Sequence, residues 1–240
     1  MPELPKLTSL HVSSISEDQI ASDPPTAMAY DQPIIIHAPP KTDLWRQAPN
    51  TIVDNAPTRL ISAHIGIHKF HSARVTVSAN WNTPYDQGGL ILFIPGEDTT
   101  TWLKTGIEFL EGKPSVMSVA SSQWCDCATV PLGKEKDGKV TIQVERQMKE
   151  GEKLESLWIY IVDEETGKKM EIRRMTWWFT QDQKILEETS DNRCLLVGVY
   201  AARPTVPAGE GREHEELVVK LEGFEVKLFD WPPVYIEKDR

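Results

Sequence analysis

From Tyr85 to Phe109 the chain spells a β-hairpin, and whatever fold it adopts must be built around that pair of strands. Residues 88–94 are a short apolar run with turn residues on either side, the pattern of a strand buried on both faces. Pro95-Gly96-Glu97-Asp98 supplies turn chemistry. The second arm alternates: Trp102, Lys104, Gly106 and Glu108 share one face, and Leu103, Thr105, Ile107 and Phe109 share the other. The second set is expected to enter a core. The first carries an indole, an ammonium and a carboxylate, and is expected to face outward or into a cleft, where a site would lie.

The remaining sequence repeats this strand-and-turn rhythm. Residues 34–36 form a short apolar strand ended by Pro39-Pro40, and Asp43 to Arg46 reads as a loop in which Trp45 plugs one end of the core. Leu60 to Ile65 and Arg74 to Trp81 alternate, Val116 to Ala120 is a strand, and Gln123 to Cys127 is a loop after it. Val140 to Arg146, Leu157 to Val162 and Met170 to Phe179 are joined by charged, glycine-containing turns, and Leu195 to Tyr200 and Leu217 to Leu228 close the set. Lys184 to Thr189 reads as one helical turn. Some ten short strands without helical periodicity predict an all-β sandwich or barrel. The expected organisation is an N-terminal arm over 1–33, a sandwich over 34–231 and a tail over 232–240.

Composition narrows the function classes. The 240 residues carry a formal net charge of −10, with 26% charged and 40% hydrophobic residues, as in an ordinary soluble globular protein. Basic residues are interspersed with acids rather than clustered, so no nucleic-acid partner is expected. No apolar run reaches the length of a bilayer span, and the first residues lack the apolar stretch of a secretory signal, so neither a membrane partner nor export is expected and the cytoplasm is the expected location. Cys125, Cys127 and Cys194 read as free structural thiols, because Cys-x-Cys without a second pair completes no zinc site.

The candidates for chemistry are few. Glu108 is a general acid or base if its surroundings are dry, or else a carboxylate held by Arg173 or Arg174. Lys104 lies about 13 Å from it along the strand, by Cα rise, so each needs a partner from a neighbouring strand. Asp86 reads as a turn cap, and Gln87 beside it as a residue that orients a ligand. His64, on a polar strand face, is the best proton carrier among His64, His68 and His71, whose spacing fits no metal motif. Trp102, Tyr85, Trp158, Tyr160, Trp177 and Tyr200 are aromatics on or beside strands and, with Arg173, are the expected lining of a cleft for a flat, partly apolar ligand. Gly-x-Ser-x-Gly, P-loop and dinucleotide fingerprints are lacking, as is the Glu-x-Asp-x-x-Glu strand of sandwich glucanases.

Four stretches in order carry a family likeness: Tyr85-Asp86-Gln87-Gly88-Gly89-Leu90, Trp102-Leu103-Lys104-Thr105-Gly106-Ile107-Glu108, Arg174-Met175-Thr176-Trp177-Trp178-Phe179 and Val197-Gly198-Val199-Tyr200-Ala201-Ala202-Arg203-Pro204. Over about residues 42–229 the chain resembles the fungal regulation-of-enolase protein and its wider family of concanavalin A-like domains. The resemblance implies a jelly-roll sandwich of two antiparallel sheets, intracellular and without a cofactor. The chain departs from the family where Asp126-Cys127-Ala128 replaces Asp-Trp-Ser, and in its long N-terminal arm.

Three functions are compatible with these features. The favoured one is a cofactor-free enzyme of fungal secondary metabolism. It would hold a partly apolar, aromatic small metabolite in a concave cleft and promote dehydration, cyclisation or cycloaddition through orientation and a few hydrogen bonds. Glu108, Lys104 and His64 would be its catalytic groups, and no metal is expected. The alternatives are a non-catalytic regulator whose partner is a metabolic enzyme, and a lectin-like carbohydrate binder.

Overall fold

The computed structural model describes residues 27–96, 100–133, 138–148, 155–179 and 194–229. Among these, fifteen strands form: β1 (Ala27–Tyr30), β2 (Ile34–Ala38), β3 (Leu44–Gln47), β4 (Thr51–Asp54), β5 (Thr58–Gly66), β6 (Phe70–Ala79), β7 (Gln87–Ile94), β8 (Thr101–Leu110), β9 (Lys113–Ser121), β10 (Cys125–Pro131), β11 (Lys139–Met148), β12 (Glu155–Val162), β13 (Lys169–Met175), β14 (Cys194–Ala202) and β15 (Leu217–Leu228). A seven-stranded sheet runs β1-β15-β6-β11-β12-β13 with β2 also on β15; a six-stranded sheet runs β10-β9-β8-β7-β14-β5. The strand pairs are antiparallel, and the two sheets close on each other as the expected concanavalin A-like jelly-roll sandwich.

Alternation explains the closure. Leu103 and Ile107 of β8, Leu90 and Leu92 of β7, and Val197 and Val199 of β14 point inward from the six-stranded sheet, and Val75, Val77, Ile142, Val144, Ile159 and Val219 meet them from the seven-stranded sheet. This is the main core. β7 is buried along its whole length, as its unbroken apolar run requires.

Several boundaries differ from the sequence reading. Among the described residues, β1, within the stretch expected as an N-terminal arm, pairs with β15. Residues 43–46 and 125–127 read as loops, yet the first belongs to a small hairpin, β3–β4, and the second opens β10. Both are short polar edge segments whose pairing is decided by distant strands. Trp45 therefore lies on the outer side of the six-stranded sheet instead of plugging the inter-sheet core. The helical turn expected over 184–189, and residues 97–98 of the hairpin turn expected over 95–98, lie outside the described residues.

One buried ion pair joins the loops at one end of the sandwich. Arg203, 1% exposed, donates through Nε to Asp86 Oδ1 at 2.7 Å and through Nη2 to Asp86 Oδ2 at 2.8 Å, and Asp86 has no exposure. Asp86 Oδ2 also accepts the Asn82 and Thr83 amides, the capping role its sequence position predicts. Arg203 reaches the Glu215 carbonyl through Nη1 at 2.8 Å, and its backbone exchanges hydrogen bonds with Thr42. Breaking a buried pair from one side leaves an uncompensated charge. Arg203→Met is expected to lower the unfolding free energy by about 3–5 kcal/mol, read by urea denaturation. A loss below about 1 kcal/mol would mean that water reaches Asp86.

Candidate functional site

Antiparallel pairing puts opposed residues on one face, so the register maps the outer face of the six-stranded sheet directly. Trp102 lies between Phe93 and Ser121, Lys104 between Ile91 and Val119, Gly106 between Gly89 and Met117, and Glu108 between Gln87 and Ser115. Tyr200 follows beside Gly89, and Cys125 and Cys127 lie beyond Ser121 and Val119. The bare floor at Gly89 and Gly106 is required by close backbone approach: a Cβ on Gly106 would fall 2.0 Å from the Gly88 oxygen.

The β3–β4 hairpin lies over much of this face. Leu44 completes a second apolar cluster with Ile91, Phe93, Trp102, Met117, Val119, Leu196 and Tyr200, and Trp45 packs against it. Trp102 is 0% exposed and Lys104 1%. The sequence reading placed both in an open cleft; a hairpin that looked like a loop closes it over them. Lys104 Nζ donates to Asp43 Oδ1 and to Gln87 Oε1, each at 2.8 Å, and Tyr200 OH donates to Gln87 Oε1 at 3.4 Å. Gln87 is buried with them and orients Lys104.

Glu108 lies at the end of this face, only partly covered. Burial pushes its carboxyl up from 4.5 to about 6; Lys104 opposes the rise and Asp43 adds to it. The expected clamp by Arg173 or Arg174 does not form. Arg173 instead bonds the Ser118 carbonyl at 2.9 Å and Asp126 Oδ2 at 2.8 Å, tying β13 to β9 and β10, and the Arg174 guanidinium lies 4.9 Å from the Trp158 ring.

Beside Ser115, the cross-strand partner of Glu108, a pocket of about 350 Å³ opens; Ser115, Thr129, Phe109, Leu110, Pro84 and Tyr85 line it together with the charged Glu111 and Lys113, and Glu108 itself is not among the lining residues. Tyr85 is 48% exposed and sits at φ 68°, a left-handed conformation uncommon for an aromatic residue. Its amide donates to the Phe109 carbonyl at 2.8 Å and its carbonyl accepts Gln87 Nε2, while Asp86 beside it is locked by Arg203. Backbone strain held at a pocket rim by a buried ion pair is a recurrent mark of a functional position.

The other expected site residues lie elsewhere. Trp158 and Tyr160 are on the outer face of the seven-stranded sheet, opposed to Glu145 and Gln143. Their rings stack 6.2 Å apart, and the Arg174 guanidinium and Lys169 ammonium sit over Trp158 and Tyr160 respectively. Trp177 packs on the inter-sheet core beside Trp178. His64 belongs to β5, three strands from β8 and therefore about 14 Å away, and its side chain lies outside the described residues. The structure thus gathers Glu108, Lys104, Trp102, Gln87, Tyr200 and Tyr85 at one face, and separates Trp158, Tyr160, Arg173, Trp177 and His64 from it. Asp43 and Trp45 were missed as site residues. Their one signal was an indole beside an acid in a polar stretch.

Residues 22–229 match the family described as Protein of unknown function (DUF1349). The chain belongs to this family. An uncharacterized protein of Emericella nidulans is 39% identical over 176 residues, covering 73% of this chain and 79% of the relative. The crystal structure of a functionally unknown protein from Saccharomyces cerevisiae is similar at a TM-score of 0.58 and 20% identity, over 88% of this chain and 98% of that one. A GH43 protein from Bacillus licheniformis reaches a TM-score of 0.50 at 12% identity, over 80% of this chain but 32% of the larger protein. At such identities the likeness concerns the sandwich alone.

The raised Glu108 carboxyl has a stability signature. The folded chain holds this proton more tightly than the unfolded one. The contribution is therefore whole below about pH 4.5 and is lost as pH rises through about 6. Glu108→Gln is expected to raise the unfolding free energy by up to about 2 kcal/mol at pH 7.5 and to change it little at pH 4, by urea denaturation at both values. An equal difference at the two pH values would show an unperturbed carboxyl.

Proposed function

We propose that the protein binds a small, partly apolar organic molecule in the pocket walled by Tyr85 and Ser115, and that Glu108 removes a proton from it. The observation that supports this reading most is a partly buried carboxyl titrating at about 6, set on the same face as a pocket-lining serine directly across from it. A carboxyl poised near neutrality is suited to general-base work, which supplies about 10²–10⁴-fold in rate. The pocket volume falls within the range of small-ligand sites, and its walls combine the apolar Pro84, Phe109, Leu110 and Pro131 with the charged Glu111 and Lys113 and the hydroxyls of Ser115 and Thr129.

Each residue has a stated role. The Tyr85 ring positions the ligand. Ser115 and Thr129 offer hydrogen bonds. Glu108 takes the proton that starts a dehydration or ring closure. Lys104, sequestered between Asp43 and Gln87, acts on Glu108 as a fixed positive charge rather than on the ligand. Aromatic metabolites of fungal secondary metabolism are the substrate class proposed; the 39% identical relative in Emericella nidulans supports only a fungal setting.

The test is a comparison of wild type with Glu108→Gln and Tyr85→Gly, each incubated with a fungal metabolite extract and followed by mass spectrometry. Wild type is expected to consume one compound, with kcat/KM rising through about pH 6. Glu108→Gln is expected to lose about 10²–10⁴-fold. Equal turnover in wild type and Glu108→Gln, with the fold intact, would remove Glu108 as the base, and no turnover by either would favour the non-catalytic regulatory reading that the family resemblance implies. Tyr85→Gly is expected to raise KM while leaving the melting temperature nearly unchanged, because glycine adopts φ 68° freely. A stability loss without a KM change would make Tyr85 a purely structural residue.

A further inference from the structure

Beneath the β3–β4 hairpin, a buried ammonium is surrounded in a way that goes beyond packing. Lys104 Nζ lies 5.9 Å from the Trp45 ring centroid, 6.0 Å from that of Trp102 and 5.9 Å from that of Tyr200. Its carboxylate partner, Asp43 Oδ1 at 2.8 Å, comes from the residue that opens the hairpin, and so does the Trp45 ring. The sheet contributes the cation and an apolar floor; the hairpin contributes the anion and an aromatic group. A donor in the same chamber is unused: Trp102 Nε1 is buried without a hydrogen-bond partner. A buried unsatisfied donor costs about 1–3 kcal/mol, and an incoming acceptor would relieve it.

The hairpin is attached as a separable piece. β3 and β4 pair only with each other, outside both large sheets. The base is fixed where Thr42 meets Arg203 and where the Asp43 carbonyl accepts the Asn55 and Ala56 amides. Beyond the base, Arg46 reaches the Thr100 carbonyl at 2.8 Å and the Ser122 carbonyl at 3.4 Å, and its amide meets Cys125 Sγ at 3.1 Å. An isolated two-stranded hairpin has little stability of its own, so its position depends on what it covers.

We infer that the outer face of the six-stranded sheet is a second binding site, for an aromatic carboxylate, and that the β3–β4 hairpin fills it internally, with Asp43 and Trp45 standing where the ligand's carboxylate and ring would lie. The ligand's carboxylate takes Asp43's place on Lys104, its ring takes Trp45's place over Trp102 and Tyr200, and the hairpin swings outward about Thr42 and Ala56. Lys104 selects an acid over a neutral analogue, since an ammonium left buried without a counter-charge is strongly disfavoured. No proton transfer by Glu108 enters this inference, so a negative turnover result for Glu108 leaves it standing.

The probes are 2-naphthoate and its neutral counterpart 2-naphthylmethanol, titrated calorimetrically into the full chain and into Asp43→Asn. The variant keeps an oxygen for the Leu44 amide, which Asp43 Oδ1 accepts at 2.7 Å, but removes the competing charge. Asp43→Asn is expected to bind 2-naphthoate at least about tenfold more tightly than wild type, a difference of about 1.4 kcal/mol, with no gain for the alcohol. In wild type, hydrogen exchange of the amides over 44–54 is expected to speed up when 2-naphthoate binds. Equal naphthoate affinity in the two proteins, binding by neither, or slowed exchange of the hairpin would overturn the inference. Should Asp43→Asn fail to fold, the exchange measurement on wild type decides alone.

Discussion

A guanidinium and a carboxylate that have both given up water must hold each other, and in this sandwich Arg203 and Asp86 do so where several loops converge. The pair fixes the turn that carries Tyr85, because Asp86 also ties down the Asn82 and Thr83 amides. Through the Arg203 backbone it fixes Thr42, from which the β3–β4 hairpin departs. Both the pocket rim and the cover of the sheet are therefore anchored to one buried interaction. Its desolvation cost is offset only because each oxygen of the carboxylate and the forked nitrogens of the arginine are satisfied.

The six-stranded sheet thus has two apolar faces. One meets the other sheet in the main core; the other carries a smaller cluster under the hairpin, with Lys104 and Gln87 set into it. Lys104 and Gln87 survive there because they bond each other and find Asp43 and Tyr200 at the border of the chamber, whereas the Trp102 Nε1 donor stays unpaired. Glu108, at the border, has no such close partner, and its raised proton affinity follows from partial burial that Lys104 offsets only in part. The strand rise between positions 104 and 108 keeps Lys104 out of the pocket, whose charged lining residues are Glu111 and Lys113.

The outer face of the seven-stranded sheet shows how similar residues serve a different end. Trp158 and Tyr160 are as aromatic as Trp102 and Tyr200, but they form a ladder with Arg174 and Lys169 over their rings. Cation–π contacts of this kind stabilise a partly exposed sheet face by about 0.5–1 kcal/mol each.

The alternation of β8, the buried run of β7 and the scarcity of helical periodicity determined the sandwich, because a period of two can bury one side of a strand and nothing else. They also determined that Trp102, Lys104 and Glu108 share a face, since that needs only the pleat. What lies above that face was decided by tertiary structure. Residues 43–54 carry no strong pattern, and their pairing as a hairpin over Trp102 rests on contacts with residues tens of positions away, Lys104 and Cys125 among them. Which sheet a strand joins is equally non-local: the pleat alone marks Trp102 by its polar neighbours Lys104 and Glu108, but only the strand order places Trp158 and Tyr160 on the other sheet. Local sequence fixes which way a side chain points; only the assembled sheets fix what it points at.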